Sequence, residues 1–223
     1  MSRTIVFDVN ETLLDLNALN PHFERIFGDV ALKTAWFKQV LQTALVMTVL
    51  GEYTDFGSVG GIALDMTALR QGVTLSDDDR AAIRDTMLNL PPHPEVPEAL
   101  TRLKNAGFRL AALTNSAQQA AETQLTNAGL APLFEHKMSV EAVRRFKPAA
   151  EVYNMAAEAL GEAPSNLRMV AAHDWDVAGA MHAGWRGAFV ARPGMVIAPQ
   201  AEHPDIIGSD MTEVVNKILV VDV

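Results

Sequence analysis

The sequence predicts an open α/β fold, a parallel sheet flanked by helices with a helical insert after the first strand, and three observations carry that expectation. Runs of continuous rather than alternating apolarity occur at Thr4 to Asp8, Arg109 to Asn115, Arg168 to His173 and Gly187 to Ala191, with a weaker run at Asp205 to Gly208. Strands that read this way are covered on both faces, as in a parallel sheet. Each run is followed by a helical pattern, and repetition of strand and helix marks this fold class. Between Leu16 and Leu90 the period becomes purely helical, first through Leu32, Trp36, Val40, Leu45 and Val49, then through Val59, Ile62, Ala63, Met66 and Leu69. The expected division is therefore 1–15 and 91–223 for the α/β core and 16–90 for the helical insert.

Within the insert, Ser76 followed by Asp77, Asp78 and Asp79 reads as an N-cap with acidic first-turn residues, which suit the positive end of a helix. Leu90 to Leu100, LPPHPEVPEAL, holds four of the chain's 11 prolines and reads as a stiff linker back to the sheet. No internal repeat or low-complexity tract interrupts the pattern.

Composition narrows the function classes. A chain of 223 residues, 49% hydrophobic and 20% charged, can bury a substantial core. The net charge of -9, with no basic run longer than Arg144-Arg145, argues against a nucleic-acid partner, because phosphate binding needs a basic stripe. There is no cysteine, hence neither a disulfide framework nor a thiol nucleophile, which fits a reducing compartment. Met1-Ser2-Arg3 runs straight into the first apolar stretch without a signal-peptide pattern. The apolar stretch Thr43 to Leu50 is far shorter than the roughly 20 residues of a membrane span. A cytoplasmic protein with no membrane partner is expected.

In open α/β sheets ligands bind beyond the carboxyl ends of the strands. The polar residues at those ends are Asp8, then Thr114 and Asn115, then His173, Asp174, Trp175 and Asp176. Asp8 alone is ambiguous, since aspartate often ends a strand and caps the following turn. Its companions shift the balance: Thr12 lies four residues on, and Lys147 stands in the motif RFKP. Lys147 near Asp8 would keep the carboxylate ionised, because an opposite charge favours the charged form; a solvated surface lysine is the alternative. Thr114 and Asn115 offer a hydroxyl, an amide and backbone N–H groups to an anion, or else ordinary turn chemistry.

The ordered set FDxxxTL, LTN, FKP and a late aspartate resembles the haloacid dehalogenase (HAD) superfamily of Asp-nucleophile hydrolases. The likeness spans nearly the whole chain. FDVNETLLDL, with RFKP followed by Tyr153 six residues after the lysine, is most similar to the L-2-haloacid dehalogenases. The resemblance implies a Rossmann-like core with a helical cap inserted after the first strand. It also implies Asp8 as nucleophile, with Thr12, Lys147, Asp176 and His173 as its catalytic companions. Substrate contacts are then expected from Asn10, Thr114, Asn115, Phe37, Phe56 and Tyr153.

Departures from the wider superfamily refine this. Its phosphatases carry an acid two residues after the nucleophile, where this chain has Asn10, which cannot donate and recover a proton; loss of a general acid costs about 10²- to 10⁴-fold. They also place a magnesium ligand where this chain has Ala172, and Asp174 would substitute only after loop rearrangement. Hydrolysis without metal or cofactor is expected, on a short 2-haloacid, because halides other than fluoride leave without a proton.

Within the dehalogenase subgroup, an asparagine is usual at His173, a serine at Ala171 and a halide-binding arginine at Phe37. His173 can serve as a base near neutral pH, or be a strand-end histidine bonded to backbone. Trp36, Phe37 and Phe56 can equally be cap-helix core. Lys38 or Arg25 would supply the missing charge. His22, His93, His136, His182 and His203 show no ligand spacing. The resemblance further implies a homodimer. The alternatives are a magnesium-dependent phosphatase on the same scaffold, or a non-catalytic binding protein of this fold.

Overall fold

The computed structural model describes residues 4–222. Met1 to Arg3, expected to be a start without a leader, lie outside the described residues, as does Val223. The chain opens with β1 (Thr4–Phe7), every residue of which is buried. Four helices follow without an intervening strand: α1 (Asn20–Phe27), α2 (Ala31–Leu50), α3 (Phe56–Gln71) and α4 (Asp77–Leu88). The alternation then resumes with α5 (Val96–Asn105), β2 (Arg109–Thr114), α6 (Gln118–Asn127), β3 (His136–Ser139) and α7 (Ala150–Leu160). It closes with β4 (Leu167–Ala171), α8 (Asp174–His182), β5 (Arg186–Val190), β6 (Ile206–Gly208) and α9 (Met211–Val221).

The strands form one parallel sheet in the order β3-β2-β1-β4-β5-β6. From β1 the chain builds outward through β2 and β3, then crosses back to lay β4 on the other side of β1. The carboxyl end of β1 is thus the topological switch point, the crevice in which such sheets bind ligands. Asp8 sits there.

The insert is helical for physical reasons legible in the sequence. Ser76 and Asp79 form a reciprocal capping box at the start of α4, satisfying two backbone N–H groups that the first turn leaves open. Gly51 (φ 77°) and Gly72 (φ 64°) end α2 and α3 in the left-handed conformation that only glycine adopts freely. Trp36, Phe37, Val40, Phe56, Val59 and Ala63 point into the core. Leu45, Val49, Ile62 and Leu69, which continue the same periodicity, face outward. Among the described residues no helix is long and apolar enough to cross a membrane.

Three expectations need correction. The strand β3 was not anticipated: its sequence HKMS is short and mostly polar, because as the edge strand it is paired along one side only. The run Gly187 to Ala191 is not followed by a helix; a loop leads directly to β6, whose parallel pairing needs only that crossover. The proline-rich linker ends sooner than expected, since α5 begins at Val96 with a proline in its first turn, a position where the missing N–H has no intrahelical partner anyway.

The far side of the sheet is fixed by Arg168. Fully buried on β4, it binds Asp222 through Nε (2.5 Å) and Nη2 (3.0 Å), Asp205 through Nη1 (2.5 Å) and Nη2 (2.9 Å), and the Gly187 carbonyl at 2.6 Å. This joins β4 to the segment before β6 and to the end of α9. Removing one partner of a buried ion pair strands the other, at about 3–5 kcal/mol. Arg168→Met is therefore expected to lower unfolding stability by about 3–5 kcal/mol, read by urea denaturation, while the site at the opposite strand ends keeps its geometry.

Candidate active site

The turn after β1 positions Asp8. Its backbone N–H donates to the Val170 carbonyl on β4 at 3.0 Å, which fixes the residue between the two central strands. Thr12 is fully buried one turn on; its hydroxyl donates to Asp8 Oδ2 at 2.7 Å and accepts the Ala172 N–H at 2.9 Å. Arg192, after β5, donates to the Thr12 carbonyl at 2.9 Å and pairs with Glu95 at 2.5 Å. The turn is thereby tied to the ends of β4 and β5.

Lys147 reaches the centre from the loop between β3 and α7. Its ammonium donates to Asp8 Oδ1 at 2.9 Å, to Asp176 Oδ2 at 2.5 Å and to the Leu113 carbonyl at 2.9 Å. All three N–H groups are used, so a fully buried lysine side chain leaves no donor unsatisfied. Its backbone N–H donates to Asn115 Oδ1 at 3.0 Å, and Phe146 beside it bonds the Thr48 hydroxyl on α2 at 3.1 Å. The same loop thus contacts both the sheet and the helical insert. Tyr153, expected as a substrate contact, is instead buried beneath the site, and its hydroxyl donates to Asp176 Oδ1 at 2.7 Å.

The electrostatics follow from this packing. Burial would push the Asp8 carboxyl up, but the Lys147 ammonium, with His173 and the Thr12 hydroxyl adding to it, holds the group below its ordinary value. Asp176, equally buried and sharing that ammonium with a second carboxylate, is raised to about 6. Burial lowers His173, with the Lys147 charge adding to it and Asp8 opposing. His173 Nε2 lies 3.9 Å from Asp8 Oδ2 and 3.5 Å from Glu11 Oε2. Glu11 has a left-handed backbone (φ 63°), and burial together with the Asp8 charge raises its carboxyl to about 7.

The space in front of Asp8 is small, about 10 Å³, lined by Asp8, Asn10, Phe37, Leu41, Phe56, Thr114, Asn115, His173 and Trp175. One wall is aromatic: Phe37 and Phe56 meet edge to face at 6.4 Å, and His173 lies between Phe37 (6.4 Å) and Trp175 (5.0 Å). Asn10 is held from below, donating to the Ser116 hydroxyl at 3.2 Å and accepting from Gln124 at 3.1 Å. The sequence-identified residues Asp8, Asn10, Thr114, Asn115, Phe37, Phe56 and His173 therefore converge on one pocket, with Thr12, Lys147, Tyr153 and Asp176 behind it.

Arg25 does not join them, being paired with Asp79 on α4 at 2.7 Å with its side chain more than half exposed. Lys38 is exposed as well. The buried cation of α2 is Lys33, whose ammonium donates to Asn17 at 2.6 Å and whose charge opposes the rise of Glu11. Sequence reading missed Glu11, Leu41, Gln124 and Lys33. Glu11 occupies a variable position of FDxxxTL and the other three stand in no motif; only Leu41, one turn from Phe37 on α2, carried a signal in its spacing. Among the described residues no group of three His, Asp or Glu side chains is arranged to hold a metal ion.

Comparison with known proteins agrees with this geometry. Residues 2–184 match the model of the haloacid dehalogenase-like hydrolase family. The chain is 30% identical over 203 residues to the (S)-2-haloacid dehalogenase of Pseudomonas sp. (strain YL), covering 90% of this chain and 88% of that one. It is 28% identical over 218 residues to the haloacetate dehalogenase H-2 of Moraxella sp. (strain B), covering 97% of each. In structure it is similar to the L-2-haloacid dehalogenase of Xanthobacter autotrophicus with chloropropionic acid covalently bound. The TM-score is 0.90 at 26% identity, over 98% of both chains. With that family match and those relatives spanning nearly its whole length, the chain belongs to the haloacid dehalogenase-like hydrolases, in their L-2-haloacid dehalogenase branch.

Proposed function

We propose that the protein hydrolyses 2-haloalkanoic acids to 2-hydroxy acids through a covalent ester on Asp8. The observation that carries this reading is the buried Asp8 carboxylate, held ionised by Lys147 and facing an aromatic-walled pocket. Asn10 stands where a leaving alcohol would require an acid. A carboxylate is a weak nucleophile in water. Fixed in a closed site against its electrophile, it gains from positioning, for which well-oriented intramolecular reactions show about 7–11 kcal/mol.

In the first half-reaction an Asp8 oxygen attacks C2 opposite the halogen. The C–O bond forms as the carbon–halogen bond breaks, halide departs with the bonding pair, and the configuration at C2 inverts. Thr114 and Asn115 supply hydrogen-bond donors for the substrate carboxylate; Asn115 Oδ1 is occupied by Lys147, which leaves the amide nitrogen for this task. In the second half-reaction water adds to Cγ of the Asp8 ester, and Asp176, oriented by Tyr153 and Lys147, accepts its proton. The Cγ–O bond to the substrate breaks, and the proton passes to the departing 2-hydroxy acid. His173, neutral near pH 7, is a second acceptor for that proton. Lys147 provides the positive charge between the two carboxylates, so no metal is called for. We place the substrate between the core, 1–15 and 91–223, and the insert, 16–90, acting as a cap. A cytoplasmic homodimer accords with the lack of cysteine and with the outward apolar residues of α2 and α3.

Release of chloride, bromide and fluoride from 2-halopropanoates with and without EDTA tests the reading. Release indifferent to EDTA is expected; no release from any haloacid, alongside magnesium-dependent hydrolysis of phosphate esters, would overturn it. The division of labour between the carboxylates gives a second expectation. Asp176→Asn should liberate about one equivalent of halide per site and then stall, because the ester forms and is not hydrolysed. Asp176 accepts a proton only when ionised, and in the ester Asp8 no longer carries the charge that helps to raise it from its ordinary value to about 6, so kcat should rise with pH through a value below about 6 and level off above it. A kcat that does not fall on acidification from pH 7 to 4 would remove Asp176 from this role.

A further inference from the structure

Behind the aromatic wall of the Asp8 pocket lies a second, larger space of about 530 Å³, between the insert and the start of α6. We propose that this chamber receives the apolar substituent at C2 of a longer-chain or aryl 2-haloacid, so that the preferred substrates are larger than the short acids expected from sequence. The inference rests on the reaction assigned above and names its substrate class.

Room is the first argument. About 10 Å³ in front of Asp8 accommodates little more than a water molecule, so any substrate whose C2 meets Asp8 must place the rest of itself elsewhere. The chamber shares Phe37 and Phe56 with the Asp8 pocket, and Ser116 on its wall follows Asn115 directly. Its volume lies in the range of small-molecule sites, about 300–1,000 Å³.

Chemistry is the second. Trp36, Phe37, Val40, Leu64, Ile83 and Met87 give the chamber an apolar lining. Phe37 stands where the subgroup's arginine would have placed a cation, so Phe37 and Phe56 turn rings rather than a charge toward both spaces, beside the neutral amide of Asn10, which bonds Ser116 and Gln124 on the chamber wall. The guanidinium groups of Arg80 and Arg84 belong to α4 at its margin, and Arg84 is exposed. A hydrocarbon chain or ring is the ligand such a lining favours, with the carboxylate left at the polar strand ends.

The backbone of α3 points the same way. Gly60 and Gly61 lie mid-helix, where glycine weakens a helix, yet neither is demanded by close packing. A Cβ at Gly61 would meet nothing within 4 Å, and one at Gly60 only Trp36 Cζ2 at 3.8 Å. Both line the chamber, and their missing side chains are part of its volume.

The experiment compares kcat/KM for 2-bromopropanoate, 2-bromohexanoate, 2-bromooctanoate and 2-bromo-2-phenylacetate, in the unaltered protein and in Gly61→Leu and Ala120→Leu, which fill the chamber from opposite walls. The ratio of octanoate to propanoate should exceed one and fall about 10-fold or more in each variant that folds, as a few methylenes of pocket contact imply. An unchanged ratio in both variants would overturn the proposal while leaving the reaction intact. If no haloacid turns over, the reaction assignment fails instead, and the chamber is judged by equilibrium binding. Calorimetry and tryptophan fluorescence should then show 2-hydroxyoctanoate binding more tightly than 2-hydroxypropanoate, with Gly61→Leu removing the difference. Equal or absent binding of the two acids would overturn it.

Discussion

Asp8→Asn is expected to reduce halide release to background, a loss on the order of 10⁶-fold of the kind that follows removal of a covalent nucleophile. The substitution is nearly isosteric, and the Thr12 hydroxyl can still bond the retained side-chain oxygen, so the turn after β1 should hold. What disappears is the negative charge and with it the ester. Lys147 keeps Asp176 and the Leu113 carbonyl as partners and is not stranded. Circular dichroism should therefore be unchanged while halide, measured by ion chromatography, is absent. Retention of a tenth of the activity would mean that Asp8 is neither nucleophile nor general base, since loss of either costs at least about 10²-fold.

The second large effect belongs to Lys147→Met, which should lower unfolding stability by about 3–5 kcal/mol and nearly abolish turnover together. Methionine fills much of the same volume but leaves the buried Asp8 and Asp176 carboxylates without the cation they share. Two carboxylates so placed cannot both remain ionised, and the pair holds a proton to higher pH. The sign of the pH dependence follows. In the unaltered protein Asp8 sits below its ordinary value, which contributes stability above the unfolded carboxylate range near 4 and is lost as pH falls through the folded value. In the variant both groups are raised, so the folded state binds more protons than the unfolded chain. The penalty should accordingly be large at pH 7 and shrink toward pH 4, as urea midpoints at the two pH values would reveal. A constant penalty would assign the loss to packing rather than charge.

How much of this could be read from the sequence depended on how local the physics was. The strands β1, β2 and β4 are continuous apolar runs ending in polar residues, because they are central and covered on both faces, and they were legible down to the residues at their ends. The edge strand β3 was not: HKMS is paired along one side only, and its identity as a strand comes from Ala111 to Thr114 beside it. The dispersed set Asp8, Thr12, Thr114, Asn115, Lys147 and Asp176 was found because each lies at a strand end or in a motif. That Lys147 bonds both carboxylates at once is a property of three distant segments. Tyr153 was read as touching substrate, whereas its contact is Asp176, a distinction set by the packing of α7 on α8. Glu11 was passed over because nothing in the sequence shows that residue 11 adopts a left-handed backbone and turns its carboxylate toward His173. For Phe37 the sequence identified the loss of a cation. The wall it forms between two spaces, one beside Asp8 and one against Gly60 and Gly61, needed the arrangement of α2 and α3.

The central claim, an ester on Asp8, is tested most directly by a single turnover of a 2-bromoacid in H₂¹⁸O with protein in excess, followed by mass spectrometry of the peptide containing Asp8 and of the product. Water attacking Cγ leaves its oxygen on the enzyme, so the account predicts ¹⁸O in the Asp8 carboxylate and an unlabelled hydroxyl on the 2-hydroxy acid. Label in the product hydroxyl on the first turnover, with Asp8 unlabelled, would contradict it.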